Sequence, residues 1–230
     1  MLKQTVKSPS AKEVAEDLLN IKNCMIDETD KIITFLAIRR NKLQGMKPLW
    51  FLINEICECL ITKKQCAAMT LTNHLLESSI KLALILWNAD LRGVDETKDF
   101  EVMYKDEIKD YQGKEMSENL TSALECELIT KEEYKDLSEL KLEYRHHISH
   151  ASNNKYIRNA KTTIMTYDTT TSESSEKEVG VTGNPILNLL AQESFMRQNA
   201  EGYFMHVYSY IMIWDAKIHQ HYLSKNKSLI

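Results

Sequence analysis

Arg145 and His150 are separated by four residues within the run LEYRHHISHAS, residues 142–152, and a further polar residue, His146, follows the arginine directly. An arginine is a permanent planar cation whose forked donors match the oxygens of a phosphoryl group. A histidine titrates near neutral pH and can take or return a proton. Together they supply the two tools needed to cleave an RNA phosphodiester without a metal. General acid–base transfer falls to the imidazole, and charge neutralisation on the phosphoryl oxygens falls to the guanidinium. His146 and His150 also form an i, i+4 pair able to chelate Zn²⁺ or Ni²⁺ from one helix face. No His-Glu-x2-His pattern and no cysteine cluster offers further ligands, so neither a metal nor another cofactor is expected.

These residues need a helix to hold them. Thr130 and Glu133 make a capping box just upstream, and the helix they open is expected to run through the motif to about Asn153. On a wheel of 100° per residue, Leu137, Leu140, Tyr144, Ile148 and Ala151 fall within a sector of about 80° and define the buried stripe. Arg145, His146, Ser149 and His150 fall on the other side. His147 sits at the stripe's edge and reads as packing.

The surrounding chain reads as helical scaffold. Its 230 residues include only 6 Gly and 3 Pro, so helix breakers are rare. Ser10 with Glu13 opens a segment to about Lys42, with a break near Asp27. Thr62 with Gln65 offers a second cap ahead of a strongly apolar helix, residues 65–91. A connection over 94–116 carries a short helix, and a small helix is predicted from Ser117 to about Glu127. Residues 161–183 turn abruptly to Thr and Ser and read as an exposed loop or hairpin. Asn184 followed by Pro185 then starts a long helix to about Leu223, where Gly202 marks a potential kink. The architecture expected is an all-α bundle of four to five principal helices in a single domain. Residues 1–45 form an N-terminal helical extension and 161–183 the polar excursion.

Net charge of −4 gives no global attraction to polyanions, so any nucleic-acid site must be a local patch. Around the motif, Lys141, Lys155, Arg158 and Lys161 form such a cluster, suited to backbone phosphates. The five scattered cysteines, without a Cys-x2-Cys knuckle, fit a reducing compartment. No secretory leader opens the chain, and apolar runs are too short for a bilayer. A cytoplasmic protein without membrane partners is expected.

The segment CELITKEEYKDLSELKLEYRHHISHAS, residues 126–152, resembles the motif helix of the HEPN superfamily: arginine, a polar residue, variable positions, then histidine. LLESSIKLALILW, residues 75–87, is similar to that family's helix carrying a glutamate and, four residues on, a lysine; here these are Glu77 and Lys81, which on their own read as an ion pair. The resemblance covers roughly residues 49–155 and the C-terminal helix. It implies a HEPN-like bundle, a homodimer joining two motifs, and metal-independent endoribonuclease activity. In that reading His150 is the acid–base group, Arg145 stabilises phosphoryl charge, and the product ends in a 2′,3′-cyclic phosphate. It further implies a toxin–antitoxin or phage-defence setting, with an antitoxin or defence-system protein as partner. The position after the arginine, most often Asn in the family, is His146 here. That departure makes an inactive HEPN module binding a protein, a nucleotide or RNA the rival reading.

Overall fold

The computed structural model describes Lys12, Glu16 and Leu19 and residues 29–89, 104–145, 161–168, 173–181 and 184–227. These residues are mostly helical, with one two-stranded antiparallel hairpin. In chain order the elements are α1 (Thr29–Arg40), a 3-10 turn (Lys47–Leu49), α2 (Trp50–Ile61), α3 (Gln65–Asn88), α4 (Lys105–Tyr111), α5 (Met116–Glu125) and α6 (Lys131–Leu140). A π-helical turn (Lys141–Arg145) continues α6, and β1 (Lys161–Asp168), β2 (Glu173–Gly180) and α7 (Pro185–Lys227) follow.

The core forms around α3. Ala68, Met69, Leu75, Leu76, Ile80, Ala83 and Leu84 are all fully buried. So wide a buried surface is the pattern of an inner helix covered on several sides. α7, α2, α5 and α4 all pack against it. α7 has 43 residues, roughly 65 Å at 1.5 Å per residue. Among the described residues, its middle, from Ala200 to Ile218, is the deeply buried part, through Tyr203, Phe204, Val207, Ile211 and Trp214. The helix is continuous through Gly202, and a Cβ placed there would meet nothing within 4 Å. Its start matches expectation: the Asn184 side-chain oxygen accepts from the Ile186 and Leu187 amides at 3.0 and 3.3 Å.

Residues 50–88 form two helices, and the break has its own chemistry. Thr62 and Gln65 do not make the expected capping box; the Thr62 hydroxyl instead donates back to the Glu58 carbonyl at 2.8 Å. Lys63 sits in the left-handed region at φ 57°. The Lys64 amide reaches the Cys59 carbonyl at 2.7 Å, and that of Lys63 reaches Leu60 at 3.2 Å. That pair of bonds is a Schellman closure, which satisfies the last carbonyls of α2 without side chains. α5 begins at Met116, and its capping box is Glu115 with Glu118. The hairpin pairs Lys161 with Gly180 through to Asp168 with Glu173. The Ser10–Glu13 cap and the break near Asp27 lie outside the described residues. Among the described residues, no helix is long and apolar enough to cross a membrane.

Candidate functional site

The motif helix is set by a junction of two local motifs. α5 ends in a second Schellman closure: Glu127 takes φ 61°, the Leu128 amide donates to the Ala123 carbonyl at 3.0 Å, and the Glu127 amide donates to Leu124 at 3.1 Å. Leu128 and Ile129 are buried, which fixes the exit of the chain. Thr130 then caps α6 as the spacing predicts. Its hydroxyl accepts from the Glu133 amide at 3.1 Å, and its own amide donates to the Glu133 carboxylate at 2.7 Å. From α7, the Lys217 ammonium donates to the Leu128 carbonyl at 3.1 Å and lies 3.4 Å from the Glu133 carboxylate.

From this anchor α6 runs antiparallel to α7, as three successive contacts show. Glu133 meets Lys217. Asp136 meets His206 at 2.7 Å and the Tyr210 hydroxyl at 2.5 Å. Tyr144 stacks on Tyr203 with ring centroids 4.3 Å apart and lies 5.8 Å from Phe195. Leu137 and Leu140 of the expected stripe are buried, and Tyr144 packs against the same core. Tyr203 is itself fixed, since its hydroxyl donates to the buried Asn73 side chain at 2.8 Å.

The π turn Lys141–Arg145 alters the wheel. Its i→i+5 bonding turns each residue through less than the 100° of an α-helix, so the phase read from α6 does not carry unchanged through the turn. Tyr144 reaches Tyr203 within that turn, and the Arg145 backbone closes it. Lys141 is half-buried at the same turn. His146, His147, His150, Lys155 and Arg158 lie outside the described residues, as do Ile148 and Ala151 of the stripe. Lys161 opens β1, where its exposed ammonium pairs with Glu178 across the hairpin at 3.1 Å. Glu77 and Lys81 form the expected i, i+4 pair at 3.0 Å, both half-buried on α3. Among the described residues, no group of three or more His, Cys, Asp or Glu is placed to hold a metal.

Sequence reasoning missed the Asp136–His206–Tyr210 cluster. Its members lie up to 74 residues apart, so no local spacing announces it. The carboxylate receives Nε2 of His206 and the phenol of Tyr210, and the two rings stack at 5.5 Å. Burial, then the bond to Asp136, then the charges of Asp136 and Glu133 raise the Tyr210 phenol above its ordinary range. The result is a half-exposed imidazole oriented by a carboxylate. His221 stacks on Trp87 at 4.4 Å, while the Trp87 indole donates to the Cys126 carbonyl at 3.0 Å. Tyr203, Phe204, Tyr208, Tyr210 and Trp214 of α7 are buried.

No family model matches the chain, and no curated protein or solved structure matches it either.

Proposed function

We propose that this chain is a HEPN-like, metal-independent endoribonuclease that works as a homodimer. Attack by the ribose 2′-OH is assisted by His150, and Arg145 neutralises the phosphoryl oxygens. The observation that carries the reading is the anchoring of the chain at Arg145. A helix capped by Thr130 and Glu133 is docked through Leu137 and Leu140 and runs into a π turn that includes Arg145 and is pinned by the Tyr144–Tyr203 stack. Single π turns inside helices are frequent at functional sites, and transition-state stabilisation needs a cation whose backbone does not reorganise. The half-buried Glu77–Lys81 pair on α3 agrees with the same resemblance. A two-fold axis beside the motif brings the two arginines to one phosphate. The setting we infer is a cytoplasmic toxin or phage-defence effector restrained by an antitoxin or defence-system partner.

The test is cleavage of structured and unstructured RNA in EDTA, with product ends analysed for 2′,3′-cyclic phosphate. His150→Ala should lower the rate by about 10²–10⁴-fold, the range for losing an acid–base group. Arg145→Ala should do similar damage, because its charge acts in the transition state. Undiminished cleavage by the double variant sinks the proposed site. A wild type inert on every RNA leaves the binding module, with His146 at the usual Asn position, as the reading that stands.

A further inference from the structure

The second chemical surface lies on the other side of α7, where α1 passes into α2. Residues 31–54 hold five of the chain's 29 Lys and Arg side chains and none of its 33 Asp and Glu. That stretch therefore carries +5, against −9 for the remaining 206 residues. Lys31 is committed to Glu201 at 3.0 Å. Among the described residues, Arg39, Arg40, Lys42 and Lys47 make no ion pair with any carboxylate, and all but the half-buried Arg39 are exposed. Four uncompensated cations within nine residues raise a local positive potential that an overall acidic chain otherwise lacks.

The same segment holds a groove of about 390 Å³ lined by Lys42, Leu43, Lys47 and Trp50. Its volume is at the low end for small-ligand sites, room for one base with its sugar. Trp50 is 42% exposed and Phe51, beside it, 61% exposed. The other two tryptophans are engaged, Trp214 in the core and Trp87 against His221. The groove is also built on a fixed floor. Asp215 of α7, 4% exposed, accepts the amides of Gln44 at 2.8 Å, Gly45 at 2.8 Å and Met46 at 2.7 Å. Leu43 and Met46 are buried beneath it. A loop held by three main-chain bonds meets a ligand without having to be ordered first.

We propose that this groove binds single-stranded nucleic acid, with a base against Trp50 and the flanking phosphates at Lys42 and Lys47. Charge complementarity selects a polyanion. A tryptophan ring and two ammonium groups lining one groove select one that presents bases and phosphates in alternation. An anionic membrane would also attract the lysines, but it needs a projecting apolar tip, whereas Trp50 here forms the wall of a concavity rimmed by charge. The groove does not use Arg145 or His150, so it stands or falls apart from the ribonuclease reading.

The experiment is fluorescence anisotropy of a labelled oligodeoxythymidylate with the full chain. That strand lacks the 2′-OH, so binding is read without cleavage. Trp50→Ala should weaken binding by about 5- to 150-fold, the effect of losing one stacked base. Trp50→Phe should recover most of it. Lys42→Gln with Lys47→Gln should reduce the log–log salt slope by about 1.4, the contribution of two phosphates on a single strand. Thermal unfolding should be unchanged in all of these, since the substituted side chains are exposed. No wild-type binding at about 100 μM protein in low salt overturns the proposal, and so does Trp50→Ala binding equal to wild type. Competition by a mononucleotide as effective as by the strand overturns it in favour of a small-ligand pocket. Binding to phosphatidylserine vesicles without binding to the strand overturns it in favour of a membrane.

Discussion

Two aspartates on the two sides of α7 show how one residue type serves structure in one place and a candidate site in another. Asp215 belongs to α7 and is buried; both its oxygens are occupied by three backbone amides of the loop between α1 and α2. Asp136 reaches α7 from α6, is half-exposed, and receives only side-chain donors, His206 and Tyr210. A main-chain amide cannot titrate or move away, so the Asp215 cluster fixes a loop. Side-chain donors can swing away, and in the Asp136 cluster a half-exposed His206 and a buried Tyr210 converge on one carboxylate of α6. What separates the two is the identity of the donors and their access to water.

The widest gap between the two carboxylates should appear in stability. Asp215→Ala leaves three amides without their buried acceptor and should lower unfolding free energy by about 3–5 kcal/mol. Asp136→Ala loses bonds that water can replace and should lower it by only about 1 kcal/mol. Urea unfolding of both variants checks this, and equal losses would erase the distinction drawn between them.

Next in size is the junction that carries Asp136. Glu127 occupies the left-handed region, which costs a non-glycine residue about 1–2 kcal/mol. Glu127→Gly should raise stability by about 1 kcal/mol without altering the cap at Thr130. A loss instead would show that the Glu127 side chain, not the backbone conformation, secures α6.

Smaller still is the effect at Gly202, one turn before His206, where an added methyl meets open space. Gly202→Ala should gain about 0.5–1 kcal/mol from helix propensity alone. If stability rises but ribonuclease activity falls, clearance beside the Asp136 cluster matters to the site. Unchanged activity assigns the glycine no role there.

The pH response sharpens the same contrast, with the sign set by burial. The Cys57 thiol is pushed from 9.0 up to about 12, chiefly by burial, and the Tyr210 phenol is raised from 10.0 by burial and by Asp136. The folded state holds both protons more tightly than the unfolded chain. Their contribution is therefore fully present below about pH 9 and is lost as pH rises from the unfolded values through the raised folded ones. Unfolding midpoints should fall between pH 8 and pH 10.5, and Tyr210→Phe should make the decline shallower. A flat profile would contradict the burial assigned to these groups.

Local chemistry made much of the motif helix legible. Thr130 with Glu133, Asn184 before Pro185, the Leu137–Leu140 stripe and the Glu77–Lys81 pair are all interactions within a few residues, so spacing alone specifies them. The hairpin was foreshadowed by composition, which changes where apolar periodicity stops. Even the basic stretch of residues 31–54 is readable as 24 positions without an acid. Its groove is not, because that depends on where Trp50 stands relative to Lys42 and Lys47 in space.

Tertiary structure decided the rest, for reasons of distance and competition. Asp215 lies 169–171 residues from the amides it binds, and nothing in its own neighbourhood marks it among the chain's other aspartates. The Thr62–Gln65 pair has the spacing of a cap, yet the Schellman closure at Lys63 wins, because it satisfies the carbonyls of α2 while starting α3. His221 stacks on Trp87, 134 residues away in sequence, a contact no local spacing announces. Leu137 and Leu140 already bind α6 to the core, and Tyr144 stacks on Tyr203 within the π turn that follows. Sequence periodicity assumes a uniform 100° step; packing chose a smaller one in the π turn that follows α6.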